Sequence, residues 1–132
     1  MEEKFNKRLF GNEKKYIQEV LDQEFRTSSG ATMMKRLEAA FAERFDSKYA
    51  ISFINGTATM HAALEAMGVG IGDEVIVPPL TMSATSFAVL QTGATPVFAD
   101  VNDETFQIDP ASIELNITDN TKAIITVGLY GL

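Results

Sequence analysis

Apolar residues near the N-terminus recur every three or four positions, which is the spacing of one face of an α-helix. Two helices are predicted here, separated by a polar loop at residues 26–30. Asn12 can act as the N-cap of the first helix. The apolar face of the first helix is Tyr16, Ile17, Val20, Leu21 and Phe25, and that of the second is Met33 or Met34, Leu37, Ala40, Phe41 and Phe45.

From residue 49 onward the apolar residues come instead in short runs rich in valine, isoleucine and phenylalanine. These runs predict strands at 49–54, 74–78, 95–99 and 122–127. Helices are predicted between them at 57–67 and 83–91, and a short one starts at Asp109-Pro110, an N-cap followed by proline at the first helical position. Strands that alternate with helices indicate an α/β fold with a mainly parallel sheet flanked by helices on both faces.

Composition narrows the classes of protein. The 132 residues are 45% apolar and 22% charged, which is typical of a single globular domain. The net charge of −7 argues against partners such as nucleic acid or an anionic membrane surface. No signal-peptide core and no apolar run of membrane-spanning length is seen. The absence of cysteine fits a cytoplasmic protein, and with one histidine no metal site is predicted.

The run Asn55-Gly56-Thr57-Ala58 lies between the apolar run 49–54 and the helix predicted after it. A glycine turn at such a place leaves the first N–H groups of the helix free, and together with the helix dipole they form a site for phosphate. The run has no lysine, so it does not fit the ATP-binding P-loop pattern. It favours a cofactor with one phosphate held by backbone amides and hydroxyls. The alternative is a glycine that serves the tight turn alone.

Three further features have simpler interpretations. The glycine-rich segment 68–72 is similar to a dinucleotide-binding pattern but lies between a helix and a strand, so it predicts a helix C-cap with Gly68 or Gly70 in the left-handed conformation. His61, one helical turn after Thr57, is predicted to have a packing role. Asp100 is predicted to form a turn with the residues that follow it. The methionines expected in the core are Met33, Met34, Met60 and Met67.

Taken together, a series of segments in order along the chain resembles the N-terminal portion of the nucleotide-sugar aminotransferase family of fold-type I pyridoxal-phosphate (PLP) enzymes. The resemblance covers about residues 25–132. It is carried by the following segments: 29–30 with 37–42, 55–58, 72–78, Thr81 with Ala84-Thr85, 93–100, 108–110, 121–125 and 129–131.

The resemblance implies roles for four residues of this chain. Gly56, Thr57 and Ala58 would bind the PLP phosphate through backbone N–H groups and the threonine hydroxyl. Met82 would lie against the PLP ring, where the family usually has an aromatic residue, because a thioether also packs on a π-system; an ordinary core position is the alternative. Gly128 stands where the family often has histidine. The Schiff-base lysine lies beyond residue 132 in the family, so no catalytic residue is predicted here and the chain alone is expected to be inactive.

The resemblance further implies transfer of an amino group, from glutamate, to a nucleotide-linked keto-sugar in polysaccharide biosynthesis, by a homodimer. Residues 1–30 would be an N-terminal helix and loop, and residues 31–132 a partial PLP-binding large domain. The chain stops in a loop just after the strand at 122–127, which predicts that it is the first part of a larger protein. Two alternatives stay open: a PLP-dependent sugar dehydratase of the same family, and a short non-catalytic binding or assembly module.

Overall fold

The computed structural model describes residues 11–22 and 32–131 of the chain. The chain divides into two compact units, Met1–Ser52 and Phe53–Leu132. The predicted loop at 26–30 and the predicted core residue Phe25 lie outside the described residues. The predicted domain boundary at residue 30 lies there too and stays a prediction.

The described residues of the N-terminal unit form two helices, as predicted: α1, Glu13–Asp22, and α2, Thr32–Arg44. Asn12 directly precedes α1, and its carbonyl oxygen accepts a hydrogen bond from the Tyr16 N–H at 3.0 Å, as an N-cap carbonyl does. The helices are linked by Arg36 of α2, whose Nη1 donates to Glu19 Oε2 of α1 at 2.6 Å. None of the described residues of either helix is fully buried.

The strand predicted at 49–54 is wrong, because these residues pair with no strand among those that the structure describes. Within the N-terminal unit, Ser52 instead donates from its N–H and its hydroxyl to Glu38 Oε1, both at 2.9 Å. Apolar composition identified a segment suited to a sheet. A strand exists only where a neighbouring backbone completes the hydrogen-bond ladder, and that requirement is not local in sequence.

The second unit is an α/β structure. Its elements are α3 Gly56–Ala66, β1 Glu74–Val77, α4 Ala84–Gln91, β2 Thr95–Phe98, α5 Pro110–Asn116, β3 Thr121–Ile124 and a 3₁₀ turn at Leu129–Gly131. Its three described strands are all parallel and have the order β2-β1-β3, which confirms the predicted fold class. Glu74 lies opposite both Thr95 and Thr121, and the register with β3 shifts after Glu74.

The core of this unit lies between the sheet and the helices α3 and α4. Val75 and Val77 of β1 are fully buried there against Leu64 of α3 and against α4. On the other face of the sheet Ile76 is also fully buried, but Ile124 of the neighbouring strand is 44% exposed. On the face toward α3 and α4, Phe98, which lies opposite Val77, is 53% exposed. The predicted cover on both faces is therefore present over β1 and incomplete at the outer strands.

Two of the four methionines predicted in the core are exposed instead. Met60 packs against the core and Met33 is half-buried, whereas Met34 is 49% and Met67 56% exposed. The prediction was wrong for these two because helical spacing shows which residues share a face but not whether another element covers it. Among the described residues, no helix is long and apolar enough to cross a membrane.

Local signals at two turns are confirmed. Asp109 caps α5, since its Oδ1 accepts from the Ala111 N–H at 3.0 Å, and Pro110 occupies the first turn. Gly68 follows α3 with φ +74°, the left-handed conformation that favours glycine at a helix end. The turn predicted at Asp100 is wrong, because the turn lies at 103–105 and Asp100 precedes the antiparallel bridge between Val101 and Ile108. Its carbonyl oxygen accepts from the Asp109 N–H at 2.8 Å, across this hairpin.

Candidate functional site

The N-terminus of α3 carries the predicted phosphate site. Asn55 is the N-cap, with extended backbone (φ −162°, ψ 169°), and its Oδ1 accepts from the Ala58 N–H at 2.9 Å. The Asn55 carbonyl oxygen accepts from the Thr59 N–H at 3.3 Å. This capping role was missed in the sequence, although asparagine directly before a predicted helix is the signal for it.

Two N–H groups at this end of α3 stay available. Neither the Gly56 N–H nor the Thr57 N–H has a protein acceptor among the described residues, as expected in the first turn of a helix. The Thr57 side chain is half-buried, and its hydroxyl likewise has no partner within the described part of the chain. Both N–H groups lie at the positive end of the helix dipole, which favours an anion.

Gly56 is not required by the turn itself. Its φ is outside the left-handed region, and a Cβ built on it meets no atom within 4 Å. The alternative that this glycine serves only a tight turn therefore has no support in the structure. The open space beside the Gly56 Cα, within the described part of the chain, leaves room for a phosphate to approach the backbone closely. The residues present thus fit a phosphate group.

Ala58 differs from its two neighbours because its N–H is already bonded to Asn55 Oδ1. A phosphate bound by Ala58 would have to displace this side chain, whereas Gly56 and Thr57 could bind it without any change in the cap. The prediction for Ala58 stays a prediction, with Asn55 as the competing acceptor.

Met82 lies just before α4 and is 78% exposed. Its carbonyl oxygen accepts from the Thr85 N–H at 3.1 Å, which fixes its backbone at the start of the helix. Thr85 is buried and lies 3.4 Å from the hydroxyl of Thr81, Oγ1 to Oγ1. The core position that was the alternative for Met82 is wrong. Its exposed thioether is free to contact a ligand.

Topology brings these positions to one edge of the sheet. The strand β1 runs toward Val77, so the residues that lead from it into α4, including Met82, lie at the carboxyl edge. The helix α3 ends where the chain enters β1 at its amino edge, so the start of α3 at Gly56 lies at the carboxyl edge. The helices α3 and α4 pack against each other. Ligands of open parallel sheets bind at this edge.

His61 lies one turn after Thr57 and is half-buried. Its Nε2 is 3.4 Å from Glu65 Oε1, yet it makes no hydrogen bond within the described residues. The two observations agree because the contact between residues i and i+4 lacks hydrogen-bond alignment. The packing role of His61 stays a prediction.

Comparison with known proteins identifies the family. Residues 8–132 match the DegT/DnrJ/EryC1/StrS aminotransferase family. The chain belongs to this family. It is similar to GDP-perosamine synthase of Escherichia coli O157:H7, with 46% identity over 123 residues that cover 93% of this chain and 34% of the relative.

Solved structures in this family confirm the fold. The aminotransferase from Psychrobacter cryohalolentis superposes with a TM-score of 0.83 at 41% identity, covering 92% of this chain and 31% of the neighbour. NtdA from Bacillus subtilis, solved with bound cofactor PMP, superposes with a TM-score of 0.74 at 34% identity, covering 87% of this chain and 28% of the neighbour. The chain spans about a third of the length of the curated relatives that it matches.

Proposed function

We propose that this chain is the phosphate-binding N-terminal portion of a PLP-dependent aminotransferase that moves an amino group from glutamate to a nucleotide-linked keto-sugar. The observation that carries the proposal is the start of α3, where Gly56 and Thr57 present unpaired N–H groups at the carboxyl edge of a parallel sheet. Membership of an aminotransferase family supports the reaction class.

Four residues of this chain would hold the cofactor. The N–H groups of Gly56 and Thr57, with the Thr57 hydroxyl, would bind the phosphate, and the helix dipole of α3 would favour its negative charge. Ala58 would join them if Asn55 released its N–H. The exposed thioether of Met82 would pack against the ring. When bound, PLP supplies the electron sink that this chemistry needs, and the Schiff-base lysine would come from outside this chain.

The substrate class rests on the relatives. A GDP-perosamine synthase, 46% identical, supports a sugar carried on a nucleotide. Glutamate as the donor, a homodimer, and a role in polysaccharide biosynthesis in the cytoplasm are parts of the same proposal. The exposed apolar residues of α1 and α2 support a subunit interface, because a homodimer would cover such side chains.

The first test is to sequence the source DNA past the codon for Leu132. An open frame that encodes an aspartate and then a Schiff-base lysine supports the aminotransferase. Histidine at the lysine position favours the sugar dehydratase instead. An immediate stop codon contradicts the proposal and favours a short non-catalytic binding or assembly module.

The second test addresses the phosphate site in the protein expressed from the complete reading frame. Gly56→Val keeps the N–H but places a branched side chain in the open space beside the Cα, where it hinders a phosphate from approaching the backbone. We therefore expect the dissociation constant of PLP, measured by equilibrium dialysis, to rise at least about tenfold. The matched control, Ala66→Val, adds the same side chain at the exposed far end of α3 and should leave PLP binding unchanged. If Gly56→Val binds PLP as the wild type does, the phosphate assignment is wrong.

A further inference from the structure

Gln107 is a half-buried residue in the segment that follows β2. This segment doubles back on itself, since Val101 and Ile108 form an antiparallel bridge. The carbonyl oxygen of Gln107 accepts from the Asn102 N–H at 2.9 Å. The backbone of Gln107 is therefore held by a hydrogen bond in the second half of this hairpin. This fixes the point from which its side chain extends.

The side-chain amide of Gln107 bridges two backbone groups of the turn after β3. In the orientation that satisfies both, Nε2 donates to the Val127 carbonyl oxygen at 2.7 Å and Oε1 accepts from the Leu129 N–H at 3.2 Å. The orientation of the amide is assigned from these two partners. The Leu129 N–H also donates to the Val127 carbonyl oxygen at 3.0 Å, so the amide of Gln107 reinforces a turn that a backbone hydrogen bond already closes.

The contact joins the two outer strands of the sheet. Strands β2 and β3 both pair with β1 and not with each other. Gln107 follows β2, and Val127 follows β3, so both lie at the carboxyl edge of the sheet. The bridge therefore crosses the end of β1 at the edge where Gly56 and Met82 lie.

Unfavourable backbone conformations flank both ends of the bridge. Phe106, directly before Gln107, has φ +58°, and Tyr130, directly after Leu129, has φ +55°. Left-handed conformations of non-glycine residues are costly and persist only where surrounding contacts impose them. Tyr130 is 99% exposed, so burial of its side chain does not offset this cost. Backbone hydrogen bonds hold both residues: the Phe106 N–H donates to the Asn102 carbonyl oxygen at 2.8 Å, and the Gly131 N–H donates to the Gly128 carbonyl oxygen at 3.1 Å. The contacts made by Gln107 add to these bonds.

We propose that Gln107 is a positioning residue for the candidate site. Its side-chain amide holds the turn 127–129 in one conformation at the carboxyl edge, so that the turn presents a fixed surface to a ligand bound at the start of α3. The inference rests on the proposed function, because it assigns the turn to the boundary of the PLP site.

The two hydrogen bonds between the Gln107 side chain and the turn 127–129 are tested by the rate of amide hydrogen exchange at Leu129 in the 132-residue chain. Gln107→Met removes both hydrogen bonds at similar size and should speed exchange roughly 2- to 10-fold, the equivalent of one net hydrogen bond. The matched control, Gln91→Met, changes an exposed glutamine at the end of α4 and should leave the Leu129 amide unchanged. Unchanged exchange in Gln107→Met overturns the bridge.

A second variant separates the bridge from a general loss of packing. Gln107→Glu at neutral pH loses the bond to the Val127 carbonyl oxygen, but its carboxylate can still accept from the Leu129 N–H. We therefore expect exchange at Leu129 to stay slow in Gln107→Glu and to be faster in Gln107→Met. Exchange in Gln107→Glu as fast as in Gln107→Met contradicts the bridge.

The positioning role is tested by PLP affinity in the protein from the complete reading frame. We expect Gln107→Met to raise the dissociation constant of PLP about 3- to 10-fold, and Gln91→Met to leave it unchanged. Faster exchange at Leu129 with unchanged PLP affinity would mean a bridge without a role at the site, and the proposal falls. Absence of PLP binding in the wild type overturns the proposed function, and the positioning role with it, while the exchange data still report the bridge.

Discussion

The two units of the chain differ in the interactions that connect their elements. In the N-terminal unit, polar pairs link Arg36 with Glu19 and Glu38 with Ser52, and Met33 of α2 lines a cavity with apolar residues of α1, but none of the described residues of these helices is fully buried. In the α/β unit β1 is buried, with Val75 and Val77 packed against α3 and α4. The stability of the first unit should therefore depend on salt and pH, and that of the second on side-chain packing.

The largest expected loss of stability comes from a substitution in the core of the second unit. Ile76→Ala empties a fully buried position in β1, and we expect it to lower the free energy of unfolding by about 2–5 kcal/mol in urea titrations. The same substitution at Ile17, which is 60% exposed on α1, should change it by less than about 0.5 kcal/mol. Equal losses at the two positions would show that the units do not differ in this way.

A smaller effect is expected at the cap of α3. Asn55→Ala removes the acceptor of the Ala58 N–H and should lower the free energy of unfolding by about 1 kcal/mol in the same urea titrations. The control, Asn120→Ala, changes an exposed asparagine whose side chain makes no hydrogen bond to the described residues, and should be close to neutral. A neutral Asn55→Ala would mean that the cap contributes nothing to stability.

The ion pair between Arg36 and Glu19 should contribute less to stability, and its contribution should depend on the salt concentration. Arg36→Met removes a partly exposed pair, which is worth at most about 1 kcal/mol, and the loss should shrink in 1 M salt because surface charges are screened. Arg44→Met, on the same helix, has no ion pair within the described residues and serves as the control. Amide hydrogen exchange in α1 and α2, recorded at low and high salt, measures the loss of stability in both variants. A loss that does not change with salt contradicts an electrostatic link.

The smallest effect concerns pH. The hydrogen bond from the Ser52 N–H, followed by that from its hydroxyl, holds the pKa of Glu38 below its ordinary value of 4.5. Because the pKa is lowered in the folded chain, this contact stabilises fully above pH 4.5 and is lost as the pH falls through the lowered pKa. Carboxyl NMR shifts of Glu38 should report that low pKa.

Ser52→Ala sharpens this test. It removes the hydroxyl and keeps the N–H, so the pKa of Glu38 should move only part of the way back toward its ordinary value. A wild-type Glu38 that titrates at the ordinary value would show that the contact with Ser52 is absent in solution.

Sequence patterns predicted the elements whose signals are local. The Asp109-Pro110 pair identified the start of α5, and the short apolar runs identified β1, β2 and β3. They failed where the outcome depends on distant residues. The segment 49–54 has the composition of a strand but no ladder partner in the part of the chain that the structure describes, and Met34 is exposed on its helix.

The candidate site divides in the same way. The helix start at Gly56 was recognisable because a glycine turn between apolar segments is a local pattern. The competition between Asn55 and a phosphate for the Ala58 N–H was not recognised, since it depends on the rotamer of one side chain. Gln107 carries no local signal at all: its partners lie about twenty residues away and meet it only through the topology of the sheet.

The strand order β2-β1-β3 also has a consequence for folding. Strand β1 meets β2 after a connection of roughly 20 residues but meets β3 only after more than twice that length, and each doubling of a closed loop costs about 0.6 kcal/mol in chain entropy. We therefore expect β1, α4 and β2 to assemble first and β3 to dock last. Strand β3 and the turn 127–129 that follows it are then the last parts of this unit to form and the first to open when it unfolds.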